Sequence, residues 1–150
     1  VRIALQHKLG NSFHFWRSDR VLNGLHDRAD ELLSDVGLEG YGEAITAELP
    51  YGRKRALEIA TTLALEPKVL LLDEPMAGMA HEDVGRIAEL IKRVAKGRTV
   101  LMVEHNLKVV ANLSDTITVL QRGAILAQGT YAEVSENPEV VQAYMGTGHG

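Results

Sequence analysis

The chain has 150 residues, of which 45% are hydrophobic and 24% charged, a make-up that fits one modest globular domain with enough apolar material for a core. A formal net charge of -4 gives no electrostatic footprint for nucleic acid. The absence of cysteine excludes disulfides and thiolate metal sites and fits a reducing compartment. No apolar stretch approaches the length of a bilayer span and no signal-peptide pattern opens the chain, so a cytoplasmic location is expected. The start at Val1 rather than Met points to a piece of a longer protein.

In chain order, Val1–Lys8 reads as the end of a helix. The cluster Phe13, His14, Phe15, Trp16 reads as a local hydrophobic anchor, with stacking on a ligand the weaker alternative. Val21, Leu22, Leu25, Ala29, Leu32, Leu33 and Val36 recur at helical spacing, and Gly37 follows as a C-terminal cap. Residues 38–50 are loop-like. A second helix is expected from Gly52 to about Leu65, with Pro67 beyond its end. The apolar run Val69–Leu72 stops at Asp73 and suits a strand buried on both faces of a parallel sheet. An amphipathic helix follows from His81 to Lys96, acidic at its start and basic at its end, and Gly97 closes it. Thr99–Val103 is a second buried strand, and Leu107–Asn112 a short helix. Thr116–Leu120 and Ile125–Gln128 flank Arg122-Gly123 as a hairpin. Two short helices, one opening at Asn137-Pro138, and a Gly-rich end complete the chain. Strands alternating with helices imply an α/β sheet, and the helical first part reads as a separate lobe.

The strongest chemical signal is Val69-Leu70-Leu71-Leu72-Asp73-Glu74-Pro75. Ligands of open α/β sheets bind at the carboxyl ends of strands, where the carboxylate of Asp73 can hold Mg²⁺ directly or through water. Glu74 beside it can orient or deprotonate a water for attack on a phosphoryl group. Taken alone, the pair reads somewhat better as a solvated acidic turn. His105 follows the strand Thr99–Val103 and Glu104. If the two strands are neighbours, its imidazole can hydrogen-bond a γ-phosphate or the attacking water. The plainer reading is a histidine capping the helix of Asn106–Asn112.

In this order and at this spacing the segments resemble the motifs of ABC ATPases. Asp73-Glu74 is similar to the Walker B motif with its catalytic glutamate, and Ala77-Gly78-Met79-Ala80 to the D-loop. His105 resembles the switch histidine, and Leu49-Pro50-Tyr51-Gly52-Arg53 the ABC signature. Tyr51-Gly52, Leu57-Glu58-Ile59-Ala60, Ala77-Gly78-Met79 and Glu104-His105-Asn106 further resemble ATP-binding subunits of branched-chain amino-acid importers, as does the tail Asn137–Gly146. Related importers of urea or other amides are the alternative, and lipopolysaccharide-export ATPases share parts of this pattern but fit less well.

The resemblance implies a RecA-like P-loop NTPase sheet, present here in part, with flanking helices. A helical lobe carrying the signature would span residues 1–66 and the C-terminal part of the ATPase core residues 67–150. It implies ATP and Mg²⁺ as cofactors in the full-length protein. The implied partners are a second ATP-binding subunit, the same or different, integral-membrane permease subunits and, indirectly, a periplasmic binding protein. Its implied location is the inner face of the plasma membrane.

Several features depart from that family. The signature's usual serine, whose hydroxyl meets the γ-phosphate held by the opposite subunit, is Pro50, which has neither hydroxyl nor N–H. Gly52 still allows close backbone approach, and the following helix start still favours an anion. The usual polar end of the D-loop is Ala80. No Gly-x-x-x-x-Gly-Lys-Ser/Thr occurs, so nothing in the sequence cradles the β- and γ-phosphates. The family's adenine contact and glutamine loop belong before residue 1. The chain is therefore expected to be a fragment that starts inside the helical lobe and runs to the natural end, inactive alone. In the family the strand leading into the phosphate loop lies between the strand before His105 and Thr116–Leu120. Without it the sheet is expected to split. The contrasting reading is a complete, non-catalytic interaction module derived from such an ATPase. A DNA-repair or translation ATPase is disfavoured by the tail and by the lack of a basic surface.

Overall fold

The computed structural model describes residues 1–8 and 19–145, with the side chains of residues 19–23, 144 and 145 outside the description. The aromatic cluster Phe13–Trp16 and the tail from Gly146 onward lie outside the described residues. The chain forms two compact units, residues 1–103 and 104–150.

The first unit begins with α1 (Arg2–Lys8) and α2 (Asp19–Asp35), which pack on each other. Leu25, Ala29, Leu32, Leu33 and Val36 are buried, as their helical spacing requires. Gly37, at φ 75°, ends α2. Its N–H donates to the Ser34 carbonyl, and the Leu38 N–H donates to that of Leu33. This paired closure needs a left-handed residue, which glycine supplies without a Cβ penalty. A 3₁₀ turn, Thr46–Glu48, leads to α3 (Tyr51–Leu63). Ala56, Ile59, Ala60 and Leu63 bury the inner face of α3, which packs on both α2 and α4 (His81–Ala95). In α4, Ile87, Ala88, Leu90, Ile91 and Val94 form the expected buried stripe.

β1 (Val69–Asp73) and β2 (Thr99–Val103) pair in parallel, with Leu71 opposite Leu101 and Asp73 opposite Val103. The β–α–β order through α4 is the crossover that parallel pairing demands. Burial on both faces is not what these strands show. Leu70 is 2% exposed, whereas Val69, Leu71, Leu101 and Val103 are 53–73% exposed. Their two-residue alternation places these four on one face. The described residues of this unit cover the opposite face only.

The second unit holds α5 (Leu107–Leu113), the hairpin β3 (Ile117–Gln121) and β4 (Ala124–Gly129), then α6 (Tyr131–Ser135) and α7 (Pro138–Met145). Arg122 and Gly123 both have positive φ, 49° and 81°, which matches the twist of a two-residue hairpin. Val119, Val134 and Val140 form its core, with Ile117, Leu126 and Ala127 packed against them. Thr130 and Glu133 close a reciprocal capping box at α6. Among the described residues the strands fall into two separate two-stranded sheets, β1-β2 and β3-β4, the split expected from the sequence.

Candidate functional site

Asp73 is the last residue of β1, and its side chain lies at the open carboxyl end of the parallel pair. Glu74 follows at φ 39°, in the left-handed region. For a non-glycine residue that conformation costs about 1–2 kcal/mol, so surrounding contacts must hold it. The Glu74 N–H donates to the Val103 carbonyl at 2.9 Å, and the Ala77 N–H donates back to the Glu74 carbonyl at 3.0 Å. Pro75 and Met76 are buried beneath this turn. Two carboxylates therefore project, exposed, from a turn anchored from below.

The D-loop-like segment Ala77–Ala80 continues from the same turn. Gly78 takes φ 72°, and the Met79 N–H donates to the Met76 carbonyl at 3.3 Å. Ala80 is the N-cap of α4, extended at φ -68° and ψ 152°, with no side-chain hydrogen bond to the helix start. Its carbonyl accepts from Asp83 and Val84.

The signature-like segment Leu49–Arg53 forms the entry to α3. Leu49 is buried, whereas Pro50 and Tyr51 are exposed. Pro50 is the N-cap, and its carbonyl accepts from both the Arg53 and Lys54 N–H groups at 3.0 Å. A residue in that position contributes its carbonyl to the helix, so the missing proline N–H removes no helical bond. The missing hydroxyl does matter: no side chain caps this start. Gly52 is buried, and a Cβ built there would stand 2.7 Å from Cγ of Asp83. The start of α4 therefore abuts the start of α3, and a side chain at position 52 would have to displace the Asp83 carboxylate. Arg53 stacks over the Tyr41 ring at 4.3 Å.

Sequence reasoning missed three of these side chains. Asp83 fills the space beside Gly52, Tyr41 carries Arg53, and Arg55 donates from Nη2 to the Asp73 carbonyl at 3.1 Å. The available signal was faint: Arg55 and Glu58 stand three apart on one helix and pair at 2.6 Å. Within the first unit the signature-like, Walker B-like and D-loop-like segments are thus drawn together through α3 and the start of α4.

His105 belongs to the second unit. Its backbone N–H donates to Glu104 Oε2 at 3.0 Å, as does that of Asn106 at 3.1 Å. The cap of α5 is Asn106, whose Oδ1 accepts from Lys108 and Val109. The plainer reading of His105 as the helix cap therefore fails, because its neighbour fills that role.

A parallel β-pair thus carries the exposed carboxylates of Asp73 and Glu74 at its carboxyl end, next to a helix entered through Tyr51-Gly52. The sequence profile of the ABC transporter family matches residues 4–77, and that of the branched-chain amino acid ATP-binding cassette transporter matches residues 124–150. The chain belongs to the ABC-transporter ATP-binding family.

It is 38% identical over 122 residues to the high-affinity branched-chain amino acid transport ATP-binding protein LivG of Salmonella typhimurium, covering 80% of this chain and 48% of that protein. It is 38% identical over 134 residues to the corresponding protein BraF of Pseudomonas aeruginosa, covering 88% of this chain and 51% of that one. The crystal structure of an ABC-transporter ATP-binding cassette in its ADP conformation superposes with a TM-score of 0.73 at 29% identity, covering 95% of this chain and 62% of that one. The chain thus spans about half the length of these two relatives. No described helix is long and apolar enough to cross a membrane.

Proposed function

We propose that this chain is the C-terminal portion of the ATP-hydrolysing subunit of an ABC importer, with branched-chain amino acids as the transported class. The observation that carries the reading is the Asp73-Glu74 turn. A left-handed glutamate is held at the end of a buried-anchor strand, one residue from a second carboxylate, with both side chains exposed. The names of the relatives supply the solute class, and the match at residues 124–150 supports it for this chain.

In the assembled protein, Asp73 is the residue to hold Mg²⁺, since a hard cation takes carboxylate oxygen at just such an exposed strand end. The ion's contribution when bound is to neutralise charge on the phosphates. Glu74 orients the attacking water and accepts its proton. His105 supplies a hydrogen bond to the terminal phosphate. The N–H groups at the entry of α3, with Gly52 allowing close approach, face the nucleotide of a second ATP-binding subunit, and Ala77–Ala80 meets that subunit too. Leu49 and Arg53 set the entry of the helix. Residues 1–66 act as the lobe carrying the signature, and 67–150 as part of the ATPase core. Membrane permease subunits receive the work, a periplasmic binding protein acts through them, and the assembly sits on the inner face of the plasma membrane.

The test is Glu74→Gln in the full-length subunit assembled with its partners. ATP binding should persist while turnover falls by about 10²–10⁴-fold, the usual contribution of a general base. Turnover near that of the unmodified protein would remove Glu74 from the role.

A further inference from the structure

The peptide unit between Asp73 and Glu74 is held from two sides. Its N–H donates to the Val103 carbonyl of β2 at 2.9 Å. Its carbonyl accepts from Nη2 of Arg55 at 3.1 Å, while Nη1 of the same guanidinium donates to Glu58 Oε2 at 2.6 Å. The Arg55 side chain is only 25% exposed. Its two ends are thus committed at once, one to its own helix and one to the catalytic turn. A planar fork with fixed donor directions holds such a geometry, and a lysine ammonium cannot reproduce it.

We propose that Arg55 is a positioning residue for Glu74. It sets the orientation of the 73–74 peptide, and so the direction in which the Glu74 carboxylate leaves the turn. Glu74 sits at φ 39°, a conformation that relaxes toward negative φ once an anchor is removed. Arg55 lies one turn into α3, whose entry carries Pro50, Tyr51 and Gly52. A shift of that entry therefore reaches the Asp73-Glu74 peptide through one side chain. The start of α4 rides on the same helix where Asp83 meets Gly52, so α3 holds both the catalytic turn and the segment that follows it. The inference rests on the proposed ATPase reading and adds to it a link, within one subunit, between the segment facing the partner's nucleotide and the glutamate facing its own.

The experiment compares wild type, Glu74→Gln, Arg55→Ala, Arg55→Gln and Arg55→Lys in the full-length subunit assembled with its membrane partners. It measures kcat and KM for ATP beside thermal melting. Arg55→Ala is expected to lower kcat by roughly 10–100-fold, the scale of a misplaced catalytic group, with KM for ATP within about twofold of wild type. Arg55→Lys, which keeps one donor for the Asp73 carbonyl, should recover part of the loss. A purely structural role would lower the melting temperature and yield while leaving kcat of the folded enzyme unchanged. Should Arg55→Ala not fold, Arg55→Gln keeps the helix and most of the stem packing and carries the same expectation. A kcat within twofold of wild type in either variant overturns the proposal while Glu74→Gln remains inactive, which leaves the ATPase reading standing. A wild-type assembly without ATPase activity defeats that reading, and the proposal with it.

Discussion

The uncovered face of the β1-β2 pair should make the 150-residue chain self-associate. Leu71 and Leu101 are register partners, 73% and 63% exposed, and Val69 and Val103 flank them at 53% and 59%. Fully burying one leucine contributes about 1.5–3 kcal/mol, so covering the exposed part of each gains about 1–2 kcal/mol. A symmetric contact brings four such leucines together, for about 4–8 kcal/mol before the cost of association. The cost of association takes up much of that gain, so about micromolar is the tightest affinity it supports, and the open strand edges add hydrogen-bonding capacity. Replacing both leucines with lysine places like charges opposite each other across any such contact and removes the gain. Sedimentation velocity from about 5 to 200 μM should show concentration-dependent association for the native chain and a monomer for Leu71→Lys/Leu101→Lys. A sharply melting native monomer at the highest concentration would refute the reasoning, and would mean that this face is covered within the chain.

Further expectations concern the caps and the charges. Ala80→Asn places a side-chain oxygen at an N-cap already extended at φ -68° and ψ 152°, and should stabilise the chain by about 1 kcal/mol in urea unfolding. An unchanged midpoint would mean that the α4 start is satisfied otherwise. Pro50→Ser should strengthen ATP-driven pairing of the full-length subunit by about 1 kcal/mol, one added hydrogen bond, and pairing that is unchanged or weaker would make Pro50 a favourable adaptation. The backbone N–H and hydroxyl of Thr130 hold the Glu133 carboxyl below its ordinary value near 4.5. A depressed carboxyl gives stability that is present above the ordinary value and lost as pH falls through the folded one. Glu133→Gln should therefore flatten the loss of stability of the second unit below about pH 4.5, read by acid titration of its circular dichroism. An unaltered acid profile would remove Glu133 from that role.

The sequence disclosed the elements well and their surroundings less well. Helical spacing predicted α2 and α4 because each buries a continuous stripe, and that stripe is a local property of the chain. The hairpin was legible because Gly123 stands between two apolar runs and takes a positive φ freely, whereas Arg122, at φ 49°, gives no such signal. The helix around residue 52 was placed one residue late at its start and two late at its end, since nothing local distinguishes Tyr51 as its first residue and Glu66, at φ 49°, closes it without glycine. The run Val69–Leu72 was read as buried on both faces because an apolar strand records the environment of a complete sheet. The described residues cover one face, and periodicity carries no information about that. For the site, Asp73, Glu74 and Ala77–Ala80 were legible as a contiguous stretch. Arg55, Asp83 and Tyr41 were not, because each acts across a distance that only packing creates.

The carboxylate turn also explains why this chain alone should neither bind ATP tightly nor hydrolyse it. Asp73 and Glu74 stand exposed and adjacent, so before any cation arrives they repel a polyphosphate. ATP affinity in such proteins comes from backbone N–H groups and a lysine wrapped around the phosphates, and no glycine-rich loop with a lysine occurs among these 150 residues. A bound cation can offset part of that repulsion, yet it leaves nothing to fix the phosphate against Glu74, and positioning is most of what phosphoryl transfer requires. The nearby guanidinium does not substitute, since Arg55 is already committed to Glu58 and the Asp73 carbonyl. Titration calorimetry of the chain with MgATP should show no micromolar binding, and phosphate release should stay at background. Either signal would reveal a nucleotide site built from residues other than those named here.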